Sequence, residues 1–126
     1  MKKIFTEKAP APGGHYSQAT KQAGFIFVSG QLPINPETGE KIFGNIEMQT
    51  SQVLKNMLAI VEAAGANLED IMKVTVYISD IELWAEVNTL YSEFFKDHRP
   101  ARVIVPVSTL HYGFLIEIDA IAYQAE

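Results

Sequence analysis

Two residue types in this chain stand where chemistry is the first question to ask. Arg102 opens the extended run RVIVPV directly after the Pro100-Ala101 turn. Its guanidinium is a planar fork that can hold a carboxylate through two parallel hydrogen bonds, and a surface ion pair with an acidic neighbour is the competing reading. Glu117 interrupts the apolar run FLIEIDAIAY. A carboxylate there either faces water by simple alternation or is held for proton transfer. Tyr16 follows Gly13-Gly14, whose backbone freedom could aim its hydroxyl into a cleft, although a tyrosine at a strand start also serves as packing. Asn88, one step off an apolar helical stripe, can bond a ligand or tie down a neighbouring loop.

Other chemistries find less support. His15, His98 and His111 show neither HxxxH nor HxH spacing, so no metal site is expected. Ser29 lies in VSGQL rather than a GxSxG elbow, and no glycine-rich phosphate loop is present. The absence of cysteine excludes disulfides, thiol catalysis and Cys-ligated metals, and makes the cytoplasm the expected compartment. With 10 Lys and Arg against 15 Asp and Glu, the net charge of -5 disfavours nucleic acid as a partner. Lys2 and Lys3 are followed by no apolar h-region, and no stretch approaches a membrane span, so neither secretion by signal peptide nor membrane insertion is expected.

The elements that must position these residues follow from periodicity. A chain of 126 residues, 48% hydrophobic, can bury one core, so a single domain spanning 1–126 is expected. Residues 9–14, APAPGG, form a loop feeding a hairpin that turns around Gln22–Gly24, with Phe25 and Phe27 on one face and Ile26 and Val28 on the other. NPETGE at 35–40 is a turn. Ile46, Val53, Met57, Ile60, Val61 and Ala64 keep helical spacing, with Asn45 as N-cap and Gly65 closing the end. Val74, Val76 and Ile78 alternate with Thr75 and Tyr77 as a half-buried strand. A second helix is expected after Asp80, its cap, with Trp84, Val87, Tyr91 and Phe94 or Phe95 as its apolar stripe. Met48, Met57, Trp84, Tyr91, Phe94 and Phe95 read as core filling. Arg102, Ile104 and Pro106 share one face of the next strand, and Pro106 points to an edge or a bulge. In the last strand Ile116, Ile118, Ala120 and Ala122 oppose Glu117, Asp119, Ile121 and Tyr123. This order predicts an α+β sandwich with two helices on one face of a mixed sheet.

Five segments, GGHYSQA, FVSGQLPINPETGE, VEAAGANLEDIMKVTVYISD, PAR and IEIDAIA, occur in one order across almost the whole chain. Together they strongly resemble RidA (YjgF), the reactive-intermediate imine deaminases. The resemblance implies a chorismate-mutase-like fold, a homotrimer and three clefts between subunits. It implies hydrolysis of 2-imino or enamine acids, such as 2-iminobutanoate and 2-iminopropanoate, to 2-oxo acids and ammonia, with no metal or organic cofactor. Arg102 would grip the substrate carboxylate and Glu117 would place or deprotonate the water, while Tyr16 steadies the nitrogen or the developing hydroxyl. Ser29, Gly30, Asn88 and the carbonyl of Ile104 would line the same cleft.

The chain departs from the commoner family pattern at three places. His15 and His111 stand where proline is usual, each giving a His-Tyr pair, and bulky Val103 replaces a small residue. The paired replacements suggest that His15 and His111 line the cleft and adapt it to a larger or differently charged substrate; two solvated loop histidines are the alternative. Two other functions compete with the deaminase reading. One is a non-catalytic trimer that binds small carboxylates as a regulator, and the other is an endoribonuclease, which the acidic charge disfavours.

Overall fold

The computed structural model describes residues 1–126. Six strands form one mixed sheet: β1 (Lys2–Ile4), β2 (Ala19–Gln22), β3 (Phe25–Gln31), β4 (Ile71–Ile78), β5 (Ala101–Pro106) and β6 (Ile116–Tyr123), in the order β1-β2-β3-β6-β4-β5. Helices α1 (Ile46–Ala63) and α2 (Trp84–Phe95) cover one face. The α+β sandwich expected from the element order is the fold observed. No helix is long and apolar enough to cross a membrane.

The local chemistry behind the elements is plain in most places. The β2–β3 hairpin closes through Ala23 and Gly24, both at positive φ, the two-residue turn whose twist suits antiparallel strands. Asn45 caps α1 by accepting from the Met48 amide at 2.9 Å, and Gly65 follows the helix at φ 93°. Lys21 on β2 donates to the Ala64 carbonyl at 2.9 Å, placing a cation at that helix's negative end. Asp80 does act as a cap, but for a short 3-10 turn over Ile81–Leu83 that precedes α2. Strand β5 lies at the sheet edge, as Pro106 suggested, and runs parallel to β4.

Alternation sets the layers. Ile26, Val28, Val74, Val76, Ile78, Ile116, Ile118, Ala120 and Ala122 are buried beneath the helices, where Val53, Met57, Ile60, Val61, Val87, Tyr91 and Phe95 meet them. The opposite face carries no layer. There Phe25, Phe27, Val103 and Tyr123 remain 40–50% exposed, with Phe25 and Tyr123 edge to face at 5.0 Å. Two expected core residues are corrected. Met48 is exposed on the solvent side of α1's first turn, and Trp84 is 39% exposed because α2 begins at the sheet edge, beside Arg102 rather than over the core. Strand β1 has no counterpart in the sequence reading: its three residues carry too little pattern to reveal a strand.

Three buried amide side chains hold the loops around the sheet. The Gln18 amide donates to the carbonyls of Thr6, Ala9 and Pro10 at 2.9–3.2 Å, and its oxygen accepts from the Thr6 amide at 2.7 Å. Asn56 donates to Leu32 and Ile34 carbonyls at 3.1 and 3.0 Å. Gln49 donates to the Gly44 carbonyl at 3.1 Å and accepts from the Leu115 amide at 2.8 Å. Removing such a group strands buried backbone partners. Asn56→Ala should therefore lower unfolding free energy by about 1–3 kcal/mol, read from the denaturant midpoint, whereas Asn67→Ala at an exposed turn should lower it by less.

Candidate functional site

The half of the site around Glu117 lies on the open face. Strand β6 places Glu117 beside Tyr77 of β4, and the β3–β6 register shifts between Val28 and Gln31. That bulge brings Gly30 against the Glu117 carboxylate, where a Cβ on residue 30 would collide with it. Tyr16, Ser29, Gly30, Leu32, His111 and Glu117 surround one hollow of about 400 Å³. Its wall is fixed by Ser29, whose hydroxyl donates to the Ser17 carbonyl at 2.6 Å and whose amide donates to the Gln18 carbonyl at 2.9 Å. The Tyr16 hydroxyl accepts from the Gly13 amide at 3.3 Å and keeps its own proton for another partner.

The electrostatics of this hollow suit proton transfer. Burial pushes the Glu117 carboxyl above the usual carboxylate range; the charge of Asp119 on the same face adds to the shift, and His111 opposes it. Asp119 is itself engaged, accepting from the Tyr77 hydroxyl at 3.0 Å. Burial raises the Tyr77 phenol, and its bond to Asp119 raises it further. A carboxyl whose ionisation is made harder moves toward the pH range where it can both take and return a proton.

Arg102 lies on the other side of the sheet. It pairs with Val74, which is buried under the helices, whereas Glu117 pairs with Tyr77. Its Nη1 donates to Asn88 Oδ1 at 2.8 Å. The guanidinium carbon stands 4.9 Å from the ring centre of Tyr91 and 5.8 Å from that of Trp84. Trp84, Asn88 and Tyr91 are spaced four and then three apart, so one stripe of α2 cradles the cation. The Tyr91 hydroxyl is buried without a hydrogen-bond partner, and burial pushes it up to about 12 while Arg102 pulls the other way. A groove of about 550 Å³ opens here, lined also by Lys96, His98 and Arg99 and by no acidic residue. It is suited to an anion.

The expected site residues therefore separate into two groups. Tyr16, Ser29, Gly30, His111 and Glu117 gather on the open face; Arg102 and Asn88 gather on the helix side. Ile104 shares the helix side with Arg102 and leans against the core. His15 is exposed and lines neither hollow, in contrast to His111. Val103 points to the open face, away from the arginine groove. Sequence reasoning passed over Leu32 and Tyr112, which line the hollows, and over the amides that hold the walls. Gln49 and Asn56 were detectable in principle, since 49, 53, 56 and 60 follow the inward stripe of α1.

Residues 6–124 match the family described as Endoribonuclease L-PSP. A RutC family protein of Pyrococcus abyssi is 56% identical over 121 residues, covering 96% of this chain and 95% of the relative. The 2-iminobutanoate/2-iminopropanoate deaminase of Escherichia coli K12 is 45% identical over 126 residues, covering 98% of each chain. The crystal structure of the E. coli YjgF gene product superposes with a TM-score of 0.93 at 44% identity, covering 98% of this chain and 99% of that one.

The Glu117 environment has a consequence for stability. Because folding raises this carboxyl's pKa, its charged form weakens the fold, and the penalty builds as pH rises from the unfolded-state pKa and is complete above the folded-state pKa. Glu117→Gln should raise the melting midpoint near about pH 8, with the gain vanishing below about pH 4, where the carboxyl is protonated folded or unfolded. Calorimetry across that range checks it; a gain independent of pH contradicts the assignment.

Proposed function

Since the chain belongs to the Endoribonuclease L-PSP family, that of the RidA (YjgF) proteins, we propose that it hydrolyses 2-imino acids to 2-oxo acids and ammonia in a homotrimer. The observation that carries this reading is the Glu117 carboxyl, partly buried and harder to ionise than usual, in a hollow shared with Tyr16, Ser29 and Gly30. Support also comes from the name of the E. coli relative, 2-iminobutanoate/2-iminopropanoate deaminase. The reaction needs orientation and proton transfer more than machinery, because a protonated imine carbon is already electrophilic.

The substrate carboxylate binds to the free edge of Arg102, whose other edge is occupied by Asn88. Water adds to the imine carbon while Glu117 accepts its proton, giving a carbinolamine. Glu117 then returns the proton to nitrogen, the carbon–nitrogen bond breaks as Glu117 takes up the hydroxyl proton and the carbonyl forms, and the departing ammonia carries that proton away as ammonium. One water enters and one ammonia departs. Tyr16 donates to the developing oxygen. No step calls for a cofactor.

Two copies must meet to assemble this site, since Arg102 and Glu117 of one chain occupy opposite faces of its sheet. The uncovered face supplies a reason to assemble. Phe25, Phe27, Val103 and Tyr123 present an apolar surface that a second copy would remove from water, and closed rotational symmetry accounts for three equal clefts. The cytoplasm is the compartment proposed. An RNA substrate fits less well, because the chain's net charge of -5 opposes phosphate binding.

A coupled assay tests the reading. A threonine or serine dehydratase generates the imine in situ, semicarbazide competes for it, and this protein's acceleration of 2-oxo acid release is measured. Wild type should outcompete the trap, and Arg102→Ala should lose about 100-fold or more in kcat/KM, in line with removal of a charged contact to substrate. A folded wild type that binds 2-oxo acids but accelerates no imine would make it a carboxylate-binding protein instead.

A further inference from the structure

The hollow at Glu117 adjoins another. Four of its walls, Tyr16, Gly30, Leu32 and His111, also line a second, adjoining hollow of about 210 Å³. Pro10, Ala11, Ile34 and Tyr112 also line this annex, and no Asp, Glu, Lys or Arg does. Its walls are fixed in advance. Gln18 holds the Pro10 carbonyl, Asn56 holds those of Leu32 and Ile34, and Gln49 holds the Leu115 amide just past the turn that carries Tyr112.

Tyr112 is the unusual wall. Its φ of 60° is the left-handed conformation that a tyrosine rarely adopts, and its side chain is 52% exposed, so burial does not hold it there. The ring is instead gripped from two directions. The His111 ring centre lies 3.7 Å away, and the Lys41 ammonium stands 4.6 Å from the ring centre. Strained backbone kept in place by specific contacts occurs where a side chain must be aimed.

We infer that the annex receives the side chain of the substrate, and that it selects uncharged apolar groups larger than ethyl, with Ile34 and Tyr112 setting the limit. The inference rests on the imine-hydrolase reading of the Glu117 site. At about 210 Å³ the annex holds roughly seven water-sized groups of ~30 Å³ each, room for the four carbons of an isobutyl or the seven of a benzyl group. A methyl group leaves most of it unfilled. A charged side chain would find no Asp, Glu, Lys or Arg among the lining residues to pair with. His111 stands between the annex and Glu117, lining both hollows.

The test uses 2-imino acids made in situ by amino-acid oxidases from alanine, leucine, phenylalanine and aspartate, each competing with semicarbazide. Leucine- and phenylalanine-derived imines should show kcat/KM at least about 10-fold above the alanine-derived one, the scale set by filling an apolar pocket, and the aspartate-derived imine should be poorest. Ile34→Phe should lower the ratio of leucine to alanine imine, and Ile34→Ala should raise the ratio of phenylalanine to leucine imine. Opposite shifts from one position separate pocket size from loss of folding. Equal rates for all uncharged imines, or ratios that neither variant moves, overturn the inference while leaving imine hydrolysis standing. If no imine is hydrolysed, the hydrolase reading fails, and emission of Trp84, the only tryptophan, decides the annex. Titration with 4-methyl-2-oxopentanoate should then give a Kd at least about 10-fold below that for pyruvate, and equal Kd values contradict the annex.

Discussion

A β-strand sends successive side chains to opposite faces, and that parity governs the proposed site. Once β4 buries Val74, Val76 and Ile78 beneath the helices, its neighbours have no choice. Arg102, paired with Val74, must look toward α2, and Glu117, paired with Tyr77, must look toward the open face. The two groups best suited to an imino acid are thereby separated by the thickness of their own sheet. A residue slip in β5 or β6 would reunite them on one face only by turning Ile104 or Ile116 and Ile118 outward, at about 1.5–3 kcal/mol for each large apolar side chain exposed. The hydrophobic pattern thus enforces the division, and with it the need for a second copy in the proposed mechanism.

Each half is prepared differently. The arginine is held by aromatic rings and a single side-chain amide, an arrangement that keeps its charge intact while fixing its direction. The glutamate is held by the absence of a side chain at Gly30 and tuned by burial and by Asp119. The loops around it are tied down by the side-chain amides of Gln18, Gln49 and Asn56. These amides satisfy backbone groups that have no strand partner, so irregular segments keep one geometry next to the hollow.

Much of this was legible in the sequence, for physical reasons that can be named. Helix α1 declared itself through spacing and through Asn45 and Gly65, and β4 and β6 through clean alternation, because each has one buried face. Pro106 pointed to an edge or a bulge, and β5 takes the edge. Strand β1 was hidden because three residues, two of them lysines, carry no period. Met48 and Trp84 were misplaced because hydrophobicity says nothing about where a helix overhangs the sheet. Parity along β5 and β6 was readable, but which faces coincide depends on pairing register, which no local pattern contains. The left-handed Tyr112 and the annex behind it depend on contacts with Lys41 and on walls held by residues far away in the chain.

The proposed site draws Arg102 from one copy and Glu117 from another. Arg102→Ala and Glu117→Gln chains, each inactive alone, can be unfolded together, refolded as a mixture and assayed for imine hydrolysis. Random assembly of equal amounts should restore about one quarter of the wild-type sites, because a site is intact only where an unaltered Arg102 faces an unaltered Glu117. Mixed assemblies as inactive as their parents, while refolded wild type is active, would contradict it.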